Sequence, residues 1–473
     1  MNIYFFVIVV YLLVLFAVGL WQSRKVTSQD DYSVAGRQLS AFVLFGTMLA
    51  TWIGTGSIFG NAEKTYRVGI AAIIIPLASI LGIMVLSFLA GRVRGMRQIT
   101  IQDLLEQRYN PTARIFGVVT VVIAYVTIVS YQYRAAGAVL ELVWPGDISL
   151  QRASIIAAAF IILYTASAGM KSIALIGLVQ GITMIIGISL TLPLLWSKAG
   201  GLAGMQMKLE ASHFDLFGPI SAIGALNILL PSFLLILGDA NMYQRFNSAR
   251  SSGIARKAVL WTIGGIAFME TAIILTAWVA SSLSQDLSND GHVIAYAAKN
   301  HLPAAVGALM LTTIMAIILS TAGSYLLAPA SCLIRDIYQR FIRPEASERS
   351  LVAFLRLTTV VLGIAAFGLS TLSDEFLSVA LHAYTIYGAG ITPALLACFF
   401  WKRATGSGAV ASIVTGTATT LLWEYWIKAA LDSPLDAVIP ALGASLLALI
   451  AVSLLTPPPP QEKVDAFFQA PQD

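Results

Sequence analysis

Long apolar runs alternate with short polar loops over almost the whole chain. A helix that spans a membrane needs about 20 mainly apolar residues. By this rule the pattern predicts thirteen spanning helices. Their predicted ranges are 2–22, 39–62, 70–91, 112–143, 151–169, 172–197, 219–246, 255–283, 302–331, 349–371, 375–400, 406–428 and 434–455. The stretch 456–473 is Pro-rich and then polar, which predicts a disordered tail.

The composition indicates an all-α polytopic membrane protein with a single transmembrane domain over 1–455. The chain has 473 residues, of which 58% are hydrophobic and 11% charged, whereas soluble domains carry roughly 25% charge. The first apolar run lacks a basic leading region, so we predict no cleavable signal peptide. Cys332 and Cys398 lie in or beside apolar segments and indicate no disulfide framework.

The basic residues are distributed unevenly between alternate loops. If the N-terminus is outside, 20 of the 29 Lys and Arg residues fall in cytoplasmic loops and 7 in external loops. Cytoplasmic loops carry an excess of Lys and Arg, so the sequence predicts an external N-terminus and a cytoplasmic C-terminus. Because these residues sit in short loops rather than on one face, the net charge of +5 does not indicate nucleic-acid binding.

Two predicted spans contain interruptions at corresponding positions. After the first helix the spans group as five and five, about 39–197 and 219–400, and two more follow. The first span of each group is broken, at 50–57 by Gly54 and Gly56 and near Gly238–Asp239. Five helices reverse direction in the membrane, so the groups are predicted to be inverted repeats. Paired interruptions of this kind indicate a transporter binding site at the bilayer midplane, although small residues also serve helix packing.

The first break and the ninth span offer oxygens for a cation. A partly dehydrated alkali cation is held by about five or six carbonyl and hydroxyl oxygens. The break at Ala50–Ile53 frees carbonyls. Ser320 and Thr321 are adjacent hydroxyls deep in an apolar helix, in the run IILSTAGS at 317–324 that begins with Ile317. The alternative is that both hydroxyls bond the carbonyl four residues earlier in their own helix.

Ionisable residues inside membrane spans are functional candidates because they are costly there. Asp239 lies at the second break, where a site or gate role is expected. Arg134 fits an ion pair or a gate. We interpret the others as structural, interfacial or packed residues: Glu270, Arg356, Glu424 and His382.

Trp52 lies inside the first break, where it either faces a cavity or forms a hydrophobic wall. Since a tryptophan face attracts organic cations, Trp52 with Asp239 would suit an amine or a quaternary ammonium group. Gly56, Tyr133 and Tyr384 complete the predicted solute site.

Enzymatic and ATP-driven functions are disfavoured by the motifs. The sequence contains no Walker A loop, no HExxH, no GxSxG and no Cys/His cluster with metal-ligand spacing.

Four segments resemble the sodium:solute symporter family in the right order. They are DDYSVAGR at 30–37, ITIQDLLEQRY at 99–109, NMYQR at 241–245, and GAGITP at 388–393 continuing to FFWKR at 399–403. The resemblance implies the leucine-transporter fold, with one preceding helix and two following ones. It also implies sodium-coupled symport of a small organic solute by alternating access.

The resemblance implies a sodium site and places its ligands. They would be the carbonyls of Ala50, Ile53 and Ile317 and the hydroxyls of Ser320 and Thr321. Family members with a second sodium carry an aspartate where this chain has Gly177, and Gly323 replaces a frequent serine. We therefore expect one sodium per cycle.

The solute is predicted less directly. The segment from Trp52 to Glu63 resembles the choline-transporter branch, whereas that branch has a tryptophan where Asp239 stands here. We expect an amine or quaternary ammonium solute such as choline, and next an amino acid or a small carboxylate. The alternatives are a proton-coupled symporter and a transporter-like sensor with a separate partner. The expected location is the cytoplasmic membrane of the cell, with sodium, the solute and the lipid bilayer as partners.

Overall fold

The computed structural model describes residues 3–23, 28–167, 169–285, 287, 289–371 and 376–468. The described residues fold into one bundle of helices. Outside the helices, a single isolated bridge pairs Leu39 with Ala249 in this part of the chain. The predicted all-α class is confirmed.

The main helices of the first half follow the predicted order. They are α1 (Ile3–Ser23), α2 (Ala41–Trp52), α3 (Asn61–Val68), α4 (Pro76–Gly95), α5 (Pro111–Val143), α6 (Leu150–Ser167) and α7 (Met170–Ala199). Shorter helices lie in the connections, at Gln29–Val34 and Ile101–Arg108.

The second half repeats this arrangement with two further helices at its end. Its main helices are α8 (Ala222–Gly238), α9 (Ala240–Ser248), α10 (Ser252–Ser281), α11 (Ala304–Cys332), α12 (Glu348–Leu369), α13 (Phe376–Gly390), α14 (Thr392–Phe400), α15 (Gly406–Leu422) and α16 (Val438–Leu455). A short helix, Val293–His301, precedes α11, and a π-helix, Leu333–Ile342, extends it.

The number of spans is close to the predicted thirteen. In the described residues, eleven helices are long and apolar enough to cross a membrane, or twelve when the bent pair Ala41–Trp52 and Gly56–Ile74 counts as one span. The predicted span 406–428 contains α15, of 17 residues, followed by the π-helical Trp423–Ile427. The count of thirteen and the orientation of the termini stay predictions. Arg24 and Lys25, which enter the charge count, lie outside the described residues.

The bundle is enclosed most deeply around α11, α13 and α14. Within the most apolar window of each span, 78% of the residues of Ala304–Ile342 and 83% of those of Phe376–Phe400 are buried. The corresponding share is 17% for α1 and 28% for α16. The helices before and after the two predicted repeats are therefore peripheral, and the repeats form the core.

The end of the chain differs from the predicted disordered tail. Gln461–Phe468 is a helix, and the ring of Phe467 makes an edge-on contact with that of Phe399, with the two centroids 5.4 Å apart. Lys463 donates to the carbonyl of Tyr109 at 2.6 Å. The prediction was wrong for 461–468 because two buried apolar side chains, Val464 and Phe467, dock on the bundle. Residues 469–473 lie outside the described part.

Both predicted helix interruptions are present. α2 ends at Trp52, and the chain bends by 51° before it continues as the helical segment from Gly56. α8 ends at Gly238 and α9 begins at Ala240, with Asp239 between them in a non-helical conformation. A side chain at Gly238 would place its Cβ 2.3 Å from the hydroxyl of Thr392, so the second break requires glycine for close approach.

Candidate functional site

The first helix break leaves carbonyl groups at the centre of the bundle. Ser40 caps the start of α2, and Ile53 ends the helix in an extended conformation with ψ near 99°. The last carbonyls of a helix have no partner within it. Ala50 and Ile53 are both 0% exposed, so lipid and bulk water do not reach them.

Thr321 on α11 faces these carbonyls. Its hydroxyl lies 3.3 Å from the carbonyl oxygen of Thr51 and 3.4 Å from that of Ile53. The Thr321 hydroxyl therefore points across to the break and does not bond back into α11. Oxygens at right angles around a cation, each about 2.4 Å from it, would lie about 3.4 Å apart, which is the spacing found here.

The other predicted sodium ligands lie on the same face of α11. Ile317, Ser320 and Thr321 are spaced as i, i+3 and i+4, which places them on one side of a helix. All three are buried. In the described residues no cluster of three or more His, Cys, Asp or Glu side chains has metal-site spacing, so the carbonyl and hydroxyl set is the candidate for a monovalent cation.

A buried arginine lies beside this set. Arg245 on α9 is fully buried and donates to the hydroxyls of Ser324 at 2.8 Å and Thr47 at 3.3 Å. It also bonds the hydroxyl of Thr51. A Cβ on Gly177 would lie 2.9 Å from the Thr47 hydroxyl. The space next to the candidate sodium ligands is thus filled by a positive side chain.

A small cavity lies beside the first break, and Gly54 and Thr321 are among the residues that line it. Its volume is about 30 Å³, room for about two water molecules. Polar and aromatic side chains from several helical segments line it, among them Trp52, Ser57, Ser79, Glu270, Tyr325 and Tyr384. A solute of amino-acid size would require these side chains to move apart.

Three of the predicted solute residues meet in this cavity. Trp52, Gly56 and Tyr384 all line it, and the indole N–H of Trp52 donates to the hydroxyl of Ser79 at 3.0 Å. A Cβ on Gly56 would lie 2.7 Å from the Tyr384 hydroxyl. The glycine therefore allows Tyr384 to approach the backbone of the break.

Tyr133 does not line the cavity. It packs on the ring of Phe367, with centroids 6.4 Å apart, on the side of α5 that faces α12. The neighbouring Tyr131 faces the site, since its hydroxyl lies 3.3 Å from that of Tyr384. The sequence pattern left the rotation of α5 undetermined, so it did not distinguish Tyr131 from Tyr133.

Asp239 is separated from the cavity by aromatic rings. Its carboxylate accepts from the hydroxyls of Tyr125 at 2.7 Å and Tyr325 at 2.8 Å, and from the backbone N–H of Asn241 at 2.7 Å. Tyr387 also ties the break together, because its hydroxyl donates to the Gly238 carbonyl and accepts from the Ala240 N–H. Asp239 therefore acts as the helix cap of the second break, and Tyr325 stands between it and the cavity.

Glu270 on α10 lines the cavity, although the sequence pattern indicated a structural role. It is 3% exposed and bonds Ser57 and Asn61, which follow the first break. The sequence feature that points to Glu270 is a carboxylate inside a predicted membrane span, which is costly unless it has a function.

The cavity adjoins a larger vestibule of about 260 Å³. The two share Ile228, Leu377 and Leu381 as lining residues. The charged side chains of the vestibule are of both signs and lie at the end of the bundle that is predicted to face outside: Glu63, Lys64, Arg67, Glu424, Lys428 and Asp436. His382 also lines this vestibule rather than the inner cavity.

The opposite end of the bundle is held by a buried charge cluster. Arg114 at the start of α5 lies 2.5 Å from Asp103 and 2.7 Å from Asp336, and it also pairs with Glu106. These carboxylates come from the helix Ile101–Arg108 and from the extension of α11. Arg134 lies elsewhere, with its guanidinium 3.3 Å from the carbonyl of Ser370, and does not line the inner cavity.

A sequence model of the sodium:solute symporter family matches residues 32–416. The chain belongs to the sodium:solute symporter family. The osmoregulated proline transporter OpuE of Bacillus subtilis (strain 168) is 24% identical and covers 95% of this chain and 94% of its own. The high-affinity proline transporter PutP of the same strain is 25% identical, with 95% and 98% covered. The sodium/proline symporter of Staphylococcus aureus (strain JH9) is 24% identical, with 96% and 93% covered.

Solved structures share the fold. A Na⁺-coupled sialic acid symporter in a substrate-bound, outward-open state has a TM-score of 0.83 at 17% identity, covering 97% of this chain and 99% of its own. Mhp1, a nucleobase-cation-symport-1 family transporter in a closed conformation, has a TM-score of 0.61 at 12% identity, with 93% and 98% covered. The predicted leucine-transporter fold is confirmed.

Family membership confirms several further predictions. This symporter is a multi-pass membrane protein that couples transport of a small organic solute to sodium, and it is not an enzyme. The resemblance to the choline branch finds no such support, since the relatives named above are proline transporters.

Proposed function

We propose that this chain is a sodium-coupled symporter of proline or a closely related amino acid in the cytoplasmic membrane of the cell. Support for the solute comes from proline transporters that match over nearly the full length of both chains. Proline replaces choline as the favoured solute. Proline is a zwitterion with an ammonium group, so it agrees with the amine-bearing solute that the sequence indicated.

The observation that carries the proposed coupling is the position of the Thr321 hydroxyl against the carbonyls of Thr51 and Ile53. One sodium ion would bind there, held by Ala50, Ile53, Ile317, Ser320 and Thr321. It would join α11 to the end of α2, and thus lock the bend of the first break into the form that shapes the cavity.

The solute would bind beside Trp52, Gly56 and Tyr384, in the cavity that Thr321 also lines. Trp52 and Ile53 are adjacent at the break, and the Thr321 side chain both contacts the Ile53 carbonyl and lines the cavity. Sodium binding and solute binding would therefore both depend on one backbone conformation. Such shared dependence is the physical basis of coupling, because each ligand shifts the protein toward the conformation that it binds more tightly.

The buried Arg245 supports a stoichiometry of one sodium. Its guanidinium donates to the hydroxyls of Thr47, Thr51 and Ser324. This is the place where the chain has Gly177 and family members with a second sodium have an aspartate. A second cation there would meet a positive charge and no carboxylate. One sodium moving down a potential of 100 mV supplies about 2.3 kcal/mol, enough for roughly 50-fold accumulation before the sodium gradient is added.

Uptake into proteoliposomes tests this function. L-Proline, choline, other amino acids and small carboxylates are offered with an inward sodium gradient, with a proton gradient alone, and with neither. We expect L-proline uptake that requires sodium and rises with an inside-negative potential. Uptake that follows protons alone would instead establish the proton-coupled alternative. Sodium-driven uptake of choline but not of proline would show that the solute assignment is wrong.

A further inference from the structure

Glu270 is a buried carboxyl group whose hydrogen-bond partners in the described residues are neutral. Its side chain is buried in the middle of the bundle, with 3% of the residue exposed. One carboxylate oxygen accepts from the Ser57 hydroxyl at 2.9 Å, and the other accepts from the side-chain amide of Asn61 at 2.8 Å. Both donors are neutral.

No positive side chain of the described residues is paired with this carboxylate. The arginines near the cavity are engaged elsewhere: Arg245 with hydroxyls near the sodium ligands, and Arg67 with Glu63 and Asp290. A buried charge without a partner of opposite sign is strongly unfavourable. A positive group that reaches Glu270 from the cavity would balance the carboxylate and stabilise its ionised form.

The cavity can bring a positive group into contact with Glu270. Glu270, Trp52 and Tyr384 line the same small space. A carboxylate has about four acceptor sites, and two of those of Glu270 are occupied by Ser57 and Asn61. A tryptophan face also attracts cations.

We propose that Glu270 binds the ammonium group of the transported solute. This inference rests on the proposed function and deepens it by naming the residue and the chemical group that decide specificity. The solute is a primary or secondary ammonium compound with N–H donors. A quaternary ammonium compound such as choline is positive but has no N–H to donate.

Ser57 and Asn61 give this contact a role in coupling. Both belong to the helical segment that follows the first break, whereas Glu270 belongs to α10. Ammonium binding at Glu270 thus acts on the start of the helical segment that follows the carbonyl of Ile53 at the first break.

The test compares L-proline with two analogues that lack the ammonium group. N-Acetyl-L-proline carries an amide, and tetrahydrofuran-2-carboxylic acid carries an ether oxygen in place of the ring nitrogen. Each competes with labelled L-proline for sodium-driven uptake. A hydrogen bond between charged groups corresponds to roughly 10- to 100-fold in affinity. We expect the wild type to prefer L-proline by at least about tenfold, and Glu270→Gln to reduce the preference to about threefold or less.

Controls separate recognition from structure. Glu141→Gln removes an exposed carboxylate that does not line the cavity and keeps the wild-type preference. Glu270→Asp keeps the charge and restores part of the preference. A purely structural role would lower the amount of folded transporter or the maximal rate and leave the ratio of affinities unchanged. An unchanged ratio in Glu270→Gln overturns the proposal, as does a change confined to the pH profile.

The two proposals fail in different ways. Absence of sodium-stimulated proline uptake by the wild type overturns the proposed function by itself. Glu270 is then tested by measuring the melting temperature of the protein with pyrrolidine, which carries an ammonium group, and with tetrahydrofuran, which does not. Stabilisation by pyrrolidine that Glu270→Gln lacks supports the ammonium site, and an equal response of both proteins contradicts it.

Discussion

The hydroxyl oxygen of Thr321 lies 3.4 Å from the carbonyl oxygen of Ile53, although 268 residues separate them along the chain. This contact joins the break in the first predicted repeat to α11, one of the two most deeply buried spans, in the second. It is the geometric basis of the proposed sodium site.

Removing this hydroxyl should weaken sodium binding. We expect Thr321→Ala to raise the sodium concentration for half-maximal uptake by about tenfold or more, because one ligand is lost, and Ser320→Ala with Thr321→Ala to abolish sodium stimulation. Thr321→Ser keeps the hydroxyl and should behave as wild type. Thr312→Ala is the matched control, since the Thr312 hydroxyl bonds back to Ala308 in the same helix. Normal sodium dependence of the double variant would show that the site is elsewhere.

A side chain at Gly56 should displace Tyr384. The added Cβ would lie 2.7 Å from the Tyr384 hydroxyl, and overpacking of this kind costs about 1–3 kcal/mol. We expect Gly56→Ala to raise the KM for the solute about tenfold. Combining it with Tyr384→Phe should recover part of the affinity, because the hydroxyl that collides is gone. Gly264→Ala adds a methyl group to open space and is the control. Failure of the double variant to recover would show that Tyr384 is not the obstacle.

Arg245 should not tolerate replacement by lysine. Its guanidinium reaches three hydroxyls at once, whereas an ammonium group is a single point of charge that cannot span them. We expect Arg245→Lys to lower the free energy of unfolding by roughly 2–4 kcal/mol, measured as a lower melting temperature in detergent. Arg256→Lys, at an exposed position of α10, should melt as wild type does. Equal melting of both variants would contradict the bonding described here.

The charge cluster at the predicted cytoplasmic end should stabilise the fold through Arg114. Asp336 is 0% exposed, so Arg114→Gln leaves a buried carboxylate without its partner. A loss of about 3–5 kcal/mol is expected for such a change, seen as reduced thermal stability. Arg340→Gln removes an arginine whose side chain is 55% exposed from its pair with Glu106, and it should cost about 1 kcal/mol or less. The reverse order of the two effects would refute the cluster.

Cysteine labelling can check the predicted orientation. Cys332 and Cys398 are both buried, so background labelling is expected to be low. Asp432→Cys should react with a membrane-impermeant maleimide on intact cells, and Glu345→Cys only after permeabilisation, because these exposed positions lie on opposite predicted sides. The opposite pattern would invert the topology.

Several features of the fold followed from the sequence because they are local. Apolar runs predicted spans, and glycines at 54, 56 and 238 predicted two breaks that the structure contains. The oxygens near Ser320 and Thr321 were identified because polar groups deep in an apolar helix are unusual. The helix Gln461–Phe468 was missed because its stability comes from docking on Phe399 and Tyr109, which composition does not reveal.

The sequence alone determined which residues enter the membrane and where the two helices break, since length, hydropathy and glycine act on neighbouring residues. The tertiary structure decided which side chains meet. A helix turns about 100° per residue, so Tyr131 and Tyr133 face nearly opposite directions, and a helix enclosed on all sides carries no polar face that reveals its rotation. For the same reason only packing placed Asp239 behind Tyr325 and brought Glu270 to the cavity.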